Sequence, residues 1–378
     1  MPETPATMRQ LRSLVTPEGE LRLSVATVDT PSPRPEQVLV RVEAAPLNPS
    51  DLALLLAMAD VGRAPADEGA AEPTVTAPIA EPVMRALAAR VGQSMTVGNE
   101  GAGVVVAAGE SPEAQALLGA TVGFSGTAAY GEYALASPRM CLPLPGGATP
   151  VDGASSFVNP LTALGMVETM RREGHTGLVH TAAASNLGQM LLRICLADGV
   201  PLVNVVRRPE QVALLRELGA EHVCDSSQPT FFADLVAAVK ATGATLAFDA
   251  VGGGRLAGEI LNAMEVAVVP ADAPYSRYGS DVPKQVYVYG ALDPRPIELS
   301  RRFGFAWGVG GWLLTTFLGT LPLEDLIRLR GRVAAELTTT FASGYTDRIS
   351  LTEALDPAVI GRYAQQATGQ KFLLLPHS

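Results

Sequence analysis

The sequence predicts an α/β chain in which a helix-covered parallel sheet is inserted into a mainly β domain. Three observations predict it. The first third is cut by Pro and Gly into short alternating runs, and the middle switches to a strand–helix–strand rhythm. At 378 residues the chain also exceeds what one hydrophobic core usually organises. A composition of 47% hydrophobic and 17% charged residues supplies enough apolar material for two cores. The formal charge of -10, with no run of Lys or Arg, argues against nucleic acid or a membrane surface as partner.

The β-rich part carries candidate strands at Leu21–Val28, Glu36–Asn48, Val97–Gly109, Ala120–Gly126 and Gly131–Pro138. Between the second and third of these, Leu52–Gln93 has a small, acidic, Pro-containing middle and is expected to form a surface excursion, over a cleft if one is present. From about Gly177 the rhythm changes. Strands are expected at Leu178–Ala184, Pro201–Val206, His222–Ser226, Thr245–Gly253 and Gln285–Leu292, with a sixth around Trp307–Leu314. Helices alternate with them at Asn186–Gly199, Pro209–Ala220, Phe231–Gly243 and from Leu256. The remainder loses this alternation and is expected to rejoin the first domain, giving residues 1–156 plus 321–378 as one domain and 157–320 as the other.

Phe303–Leu323 has no charged side chain and is nominally long enough to span a bilayer. Its five glycines and one proline instead predict a short buried strand plus turns, and no membrane span is expected. The opening residues lack a cationic start followed by an apolar run, so they do not read as a signal peptide. Three scattered cysteines, Cys141, Cys195 and Cys224, predict reduced thiols in a cytoplasmic setting.

The decisive segment is Ala183-Ala184-Ser185-Asn186-Leu187-Gly188, which follows an apolar strand and opens an amphipathic helix. A dinucleotide turn needs small residues here so that backbone N–H groups can approach a pyrophosphate, and Gly188 lets the helix pack closely on the sheet. Ala and Ser stand in place of the first two glycines of that fingerprint, so the turn also fits an α/β protein that binds no nucleotide. The next strand ends in Asn204-Val205-Val206-Arg207-Arg208, with guanidiniums where NAD sites usually hold a carboxylate, and that composition matches the 2'-phosphate of NADPH. The alternative is that the two arginines merely cap the strand on a solvated face. Two later strand ends, Ala250-Val251-Gly252 and Tyr289-Gly290-Ala291-Leu292, fall at the carboxyl edge where ligands of open α/β sheets bind; either also fits an ordinary tight turn.

Taken in order, Ala45–Leu52 (APLNPSDL), Val97–Gly109, Val158–Leu164 (VNPLTAL), His180–Gln189, Asn204–Gln211, Leu215–Val223 and Phe248–Gly253 resemble the medium-chain dehydrogenase/reductase superfamily in its zinc-independent quinone oxidoreductase and enoyl reductase branch. The resemblance implies a GroES-like catalytic domain made from both chain ends, a Rossmann-type NADPH-binding domain between them, an active site in the cleft, and a homodimer. It adds Asn159, Thr162 and Gln189 to the cofactor set. Zinc-dependent members of the superfamily have a cysteine where Asn48 stands, Gly-His-Glu where Gly98-Asn99-Glu100 stands, and a further thiolate or carboxylate near Val158. Catalytic zinc needs three His, Cys or carboxylate ligands, so no metal is expected.

Hydride addition to a quinone or enone builds negative charge on a carbonyl oxygen, which hydrogen-bond donors must stabilise in the absence of a metal. Asn48, Thr162, Tyr130 and Tyr133 are the candidates, because the resemblance places their segments around the cleft. Each has a structural alternative: the tyrosines as ordinary strand residues, Thr162 as a helix start. The expected activity is NADPH-dependent reduction of a quinone or α,β-unsaturated carbonyl compound. The alternatives are trans-2-enoyl-thioester reduction, weakened by the lack of a tyrosine after Asn48-Pro49-Ser50-Asp51, and a non-catalytic NADPH-binding protein. A second insertion, Ala271–Lys284, precedes the fifth strand of the inserted domain and reads either as ordinary loop decoration or as a loop that shapes the substrate pocket. His180, inside the first strand of that domain, reads as a satisfied core residue.

Overall fold

The computed structural model describes residues 4–63 and 73–378. In chain order its strands are β1 (Thr7–Val15), β2 (Glu20–Asp29), β3 (Val38–Pro46), β4 (Thr74–Pro78), β5 (Ser94–Thr96), β6 (Glu100–Ala108), β7 (Thr121–Ser125), β8 (Tyr133–Ala136), β9 (Cys141–Pro143), β10 (Leu178–His180), β11 (Leu202–Val206), β12 (His222–Asp225), β13 (Leu246–Asp249), β14 (Lys284–Val288), β15 (Trp307–Gly311), β16 (Asp347–Ile349) and β17 (Phe372–Leu374). The contacts divide the chain into two compact units, Met1–Val158 with Arg330–Ser378, and Asn159–Leu329.

The first unit is mainly β, with one sheet ordered β4-β2-β1-β5 and a second ordered β16-β17-β3-β6-β7-β9, to which β8 adds by pairing with β3. Its core is the apolar side of these strands: Leu11, Leu21, Leu23, Val40, Val42 and Phe124 are all fully buried or nearly so. β17, from the chain's far end, pairs antiparallel with β3, setting Leu373 opposite Pro46. Strand β1, which the alternation did not reveal, pairs with β2 along its whole length. The expected surface excursion is corrected in part. Leu52, Leu55, Val75 and Ala77 are buried, and β4 extends the first sheet by pairing with β2, because TVTAP alternates as a half-buried strand does. The acidic centre of that segment, residues 64–72, lies outside the described residues.

The second unit holds a six-stranded sheet ordered β12-β11-β10-β13-β14-β15, every neighbouring pair parallel. This is the Rossmann-type order, in which the first strand is central and the direction of winding reverses beside it. Strand β11 is buried at all five positions, as a parallel strand covered on both faces must be. The helices Asn186–Asp198, Pro209–Glu217, Phe231–Thr242 and Leu256–Val268 alternate with the strands where the apolar spacing places them. Phe248, fully buried, meets Tyr287 at 5.7 Å and Trp312 edge-on at 5.6 Å, and Trp312 Nε1 donates to Thr169 Oγ1 of the helix Val158–Arg172 at 3.1 Å.

Phe303–Leu323 departs from its expected buried strand. β15 is only half-buried, since it is the sheet's edge, and the chain continues as a short helix, Leu314–Gly319, with Leu313 62% exposed. Among the described residues no helix is long and apolar enough to cross a membrane.

Phe248→Ala should lower stability by about 3–5 kcal/mol by opening a cavity between sheet and helix, read as a lower denaturant midpoint at unchanged slope. A midpoint within error of wild type would show that the aromatic layer is not what holds this face together.

Candidate functional site

Strand β10 delivers the chain into a tight bend at Thr181–Ala184, where Ala182 takes the left-handed conformation at φ 50°. Ser185 then caps the helix Asn186–Asp198, its Oγ accepting the Gly188 N–H at 3.1 Å. A Cβ on Gly188 would stand 2.1 Å from the Ala183 carbonyl oxygen, so only glycine permits this closeness. Ala183, Ala184, Leu187 and Gly188 are buried and build the bend, whereas Ser185, Asn186 and Gln189 keep exposed surface. Gln189 Nε2 donates to the Ala184 carbonyl at 3.0 Å. The helix N-terminus therefore offers backbone N–H groups and small polar side chains to an anion.

The neighbouring strand end is held from inside. Thr181 Oγ1 donates to Asp249 Oδ1 at 2.7 Å and accepts the Ala250 N–H at 2.8 Å, while Asp249 accepts the N–H groups of Val251 at 2.9 Å and Gly252 at 3.2 Å. The N–H groups of Ala250, Val251 and Gly252, residues expected at the cofactor edge, are thus spent on Thr181 and Asp249, so any contact these residues make there runs through other atoms. Gly252, at φ 75°, is also packed so that a Cβ would lie 2.2 Å from the Gly290 carbonyl oxygen.

Tyr289, Gly290 and Ala291 come together with Val288, Gly311, Trp312, Leu313 and Thr316 around a depression of about 450 Å³ at the carboxyl ends of β14 and β15. Leu292 lies beyond it, 48% exposed. Tyr289 Oη is 2.7 Å from His180 Nε2 with the rings stacked. His180 is wholly buried, and burial pushes its imidazole down to about 3, so it is neutral. Its Nδ1 has no partner among the described residues, so this core histidine is satisfied on one side only.

Arg207 and Arg208 follow β11 on the exposed surface, and neither guanidinium makes a hydrogen bond or ion pair among the described residues. Arg207 N donates to Gln211 Oε1 at 3.1 Å, which fixes the backbone beneath them. Asn204 is corrected: it is fully buried, its Nδ2 donating to the His222 carbonyl at 3.2 Å, so it ties β11 to β12 instead of facing a ligand. Asn159 and Thr162 lie in the helix Val158–Arg172, both buried, with Thr162 inside the helix and not at its start as the structural alternative had it.

The first unit gathers a buried polar cluster. Asn48 precedes the helix Pro49–Leu56 and is 2% exposed, its backbone N–H donating to Asp51 Oδ2 at 2.9 Å and its Nδ2 to Glu100 Oε1 at 2.7 Å. Asp51 Oδ1 also accepts the Asn99 N–H at 2.9 Å. Glu100 Oε2 accepts the N–H groups of Phe157 and Val158, each at 2.9 Å. Lys371 Nζ donates to Ser155 Oγ at 2.8 Å, and burial lowers its ammonium to about 8 against the pull of Glu100 and Asp51. Burial raises the Asp51 carboxyl to about 7 and raises Glu100 as well.

Tyr130 and Tyr133 are corrected as donors to a substrate. Tyr130 is fully buried with its hydroxyl donating to the Pro46 carbonyl at 2.9 Å. Tyr133 is 7% exposed in a separate cluster with Met8 and Leu39, its ring edge-on to His377 at 5.7 Å. The insertion before β14 is corrected too. Gly279 lies against Gly304, before β15, and Lys284, which opens β14, pairs with Glu265 at 2.7 Å. The loop therefore sits at the amino ends of the strands, opposite the edge that carries the depression.

Sequence reasoning missed Thr181, Asp249, Asp51 and Lys371. Asp51 was available, since an acidic residue three positions after Asn48 is the signature of a capping box. The others had no local signal, because their partners are remote in sequence. Among the described residues no group of three or more His, Cys, Asp or Glu side chains could hold a metal ion.

No family model matches the chain. Over 222 residues it is 29% identical to the mitochondrial enoyl-[acyl-carrier-protein] reductase of Xenopus tropicalis, covering 54% of this chain and 53% of that protein. The chain thus spans about half the length of that relative. A putative NADPH:quinone reductase from Mesorhizobium loti has the same fold with a TM-score of 0.72 and 27% identity, over 99% of this chain and 100% of that one. A mycobacterial protein solved in complex with NADPH shares the fold with a TM-score of 0.64 at 19% identity, over 98% of this chain and 100% of that one. A Rossmann-type sheet carried between two segments of a mainly β, GroES-like unit defines the medium-chain dehydrogenase/reductase architecture. Within it, these neighbours bear out the resemblance to the quinone oxidoreductase and enoyl reductase branch.

The raised Asp51 carboxyl gives a pH dependence of known sign. Folded Asp51 keeps its proton up to about 7 while the unfolded group releases it near 3.8, so its contribution to stability is present below the lower value and is lost as pH rises through the upper one. Lys371, lowered from 10.5 to about 8, titrates above that window. Between about pH 5 and about pH 8 the wild-type Tm should therefore fall, and Asp51→Asn should flatten the fall. Parallel curves for the two proteins would rule out Asp51 as the source.

Proposed function

We propose that this chain reduces quinones or α,β-unsaturated carbonyl compounds with NADPH and without a catalytic metal. The observation that carries the reading is the pair of unpartnered guanidiniums, Arg207 and Arg208, on the strand next to a Ser185-capped helix N-terminus. Ser185, Asn186, Gln189 and the backbone around Gly188 would hold the diphosphate, Arg207 and Arg208 the 2'-phosphate, and Tyr289, Gly290 and Ala291 the nicotinamide half. NADPH supplies the hydride. Asn159–Leu329 is then the cofactor domain, and the two-segment unit is the catalytic one.

Asn48 is assigned as the donor to the substrate carbonyl oxygen, where negative charge grows as hydride arrives. Its Nδ2 donates to Glu100 Oε1 at 2.7 Å, which fixes the amide in place. The polar groups around it suit hydrogen bonding better than metal binding: amides and a carboxylate already accepting three N–H groups. A homodimer through the open edge of β15 is supported by the exposed Leu313, Leu323 and Ile327 nearby in sequence, and a cytoplasmic setting by three buried cysteines that form no disulfide among the described residues.

A second reading, reduction of an enoyl thioester, is favoured by the name of the amphibian relative. NADPH oxidation followed in parallel with a benzoquinone, a naphthoquinone, a simple enone and crotonyl-CoA separates the two. Turnover of the quinones or enone above the thioester is expected, strong preference for crotonyl-CoA would replace the first reading with the second, and silence on all four would leave an NADPH-binding protein without reductase activity.

Arg207→Ala and Arg208→Ala should each raise the NADPH KM by roughly 10- to 100-fold, the loss of a charge-assisted bond to phosphate, while changing the NADH KM little. An equal rise for both coenzymes would contradict the 2'-phosphate assignment.

A further inference from the structure

We infer that His180 is a positioning residue for the coenzyme: its ring N–H donates to Tyr289, and this turns the tyrosine's own O–H toward an oxygen of the nicotinamide riboside. This rests on the reading of the second unit as the NADPH-binding one.

The bond between the two side chains can run in either direction, because a neutral imidazole carries one N–H and one bare nitrogen. His180 has no exposed surface, its Nε2 is 2.7 Å from Tyr289 Oη, and its Nδ1 is sealed from solvent with no partner among the described residues. One ring nitrogen is therefore unmatched in either tautomer. A proton on Nδ1 would strand a donor in the core, whereas a proton on Nε2 leaves only a bare acceptor there, and an orphaned buried N–H is the rarer of the two. Nε2 then donates to Tyr289 Oη. The phenol, pushed up by burial and by Asp249, keeps its own proton, and Oη makes no second hydrogen bond among the described residues.

The sheet order places that free O–H. β13 lies between β10, which ends at His180, and β14, which Tyr289 follows, so the tyrosine reaches across the carboxyl end of β13. Its main chain is held there by the Tyr289 N–H donating to the Asp249 carbonyl at 3.0 Å. Winding reverses between β10 and β13, and the crevice at such a reversal is where open α/β sheets take their ligands. On one side stands the Ser185-capped helix N-terminus, on the other the depression that Tyr289 itself lines with the part of its surface that stays exposed. A coenzyme with its diphosphate at the first and its nicotinamide in the second carries the riboside over the crevice, and the riboside's oxygens are the acceptors that the phenol lacks inside the protein.

The test uses the full chain with Tyr289→Phe, His180→Leu, His180→Gln and the double variant His180→Leu/Tyr289→Phe. Two quantities are read: the ring-nitrogen resonances of labelled histidine in the ligand-free protein, and dissociation constants for NADPH, NADH and adenosine 2',5'-bisphosphate. The His180 resonances, assigned by their loss in His180→Gln, should be those of a neutral ring protonated on Nε2. Tyr289→Phe should weaken NADPH and NADH alike by about three- to tenfold, the worth of one hydrogen bond, and leave the bisphosphate, which has no nicotinamide riboside, unchanged. His180→Leu should show a loss of the same size and selectivity, and His180→Gln, which keeps a side-chain N–H, a smaller one. The double variant should bind no more weakly than Tyr289→Phe alone, because the histidine acts only through the hydroxyl.

A His180 ring protonated on Nδ1 would overturn the inference, as would unchanged NADPH binding in Tyr289→Phe, equal weakening of the bisphosphate, or additive losses in the double variant. If His180→Leu does not fold, Tyr289→Phe and the resonances carry the same outcomes. Should the wild-type protein bind neither nicotinamide nucleotide, the functional reading fails and takes the assigned ligand with it, while the His180 tautomer, read without ligand, still decides which way the bond runs.

Discussion

A carboxylate sealed from water must find every partner inside the protein, and Glu100 imposes that requirement on the first unit. An isolated buried charge costs several kcal/mol unless it is paired and hydrogen-bonded. Meeting the requirement draws together Asn48 after β3 and the backbone of Phe157 and Val158. These segments are distant in sequence, and strand pairing alone would leave their polar ends unspecified. The carboxylate supplies the specification.

The second unit solves a related problem at its sheet edge. Asp249 and Thr181 absorb the backbone donors of the turn after β13, while Ser185 caps the helix N-terminus after β10 by accepting the Gly188 N–H. Some residues therefore build the edge and others keep exposed surface beside it. Ala183, Ala184, Leu187, Gly188, Thr181 and Asp249 belong to the first kind; Ser185, Asn186, Gln189, Arg207 and Arg208 belong to the second.

This division shows why the fold was more legible in the sequence than the site. Parallel strands covered on both faces read as apolar runs, so all six strands of the inserted sheet were visible, as was the small-residue bend after the first of them. Strand β1 was not, since Arg9, Gln10 and Arg12 interrupt its alternation while Gln10 is nonetheless buried. Residue type suggested Tyr130 and Tyr133 as donors, but only packing reveals that one hydroxyl is spent on Pro46 and that the other ring lies in a different cluster. Asn204 failed for the same reason. The insertion before β14 was found as an element and assigned to the wrong end of its strand, an error of topology: a segment that enters a parallel strand lies at its amino end, away from the edge where ligands gather.

That loop is fastened at its base by the wholly buried Lys284, which pairs with Glu265 and donates to Ser280 and to the Val282 carbonyl, while its tip at Tyr275 is 92% exposed. The clasp isolates the strand from whatever happens beyond it. Extra sequence spliced in at Tyr275, even a whole folded tag, would burden only solvent, leaving the register of β14 and the depression at its opposite tip untouched; this is where the protein can grow.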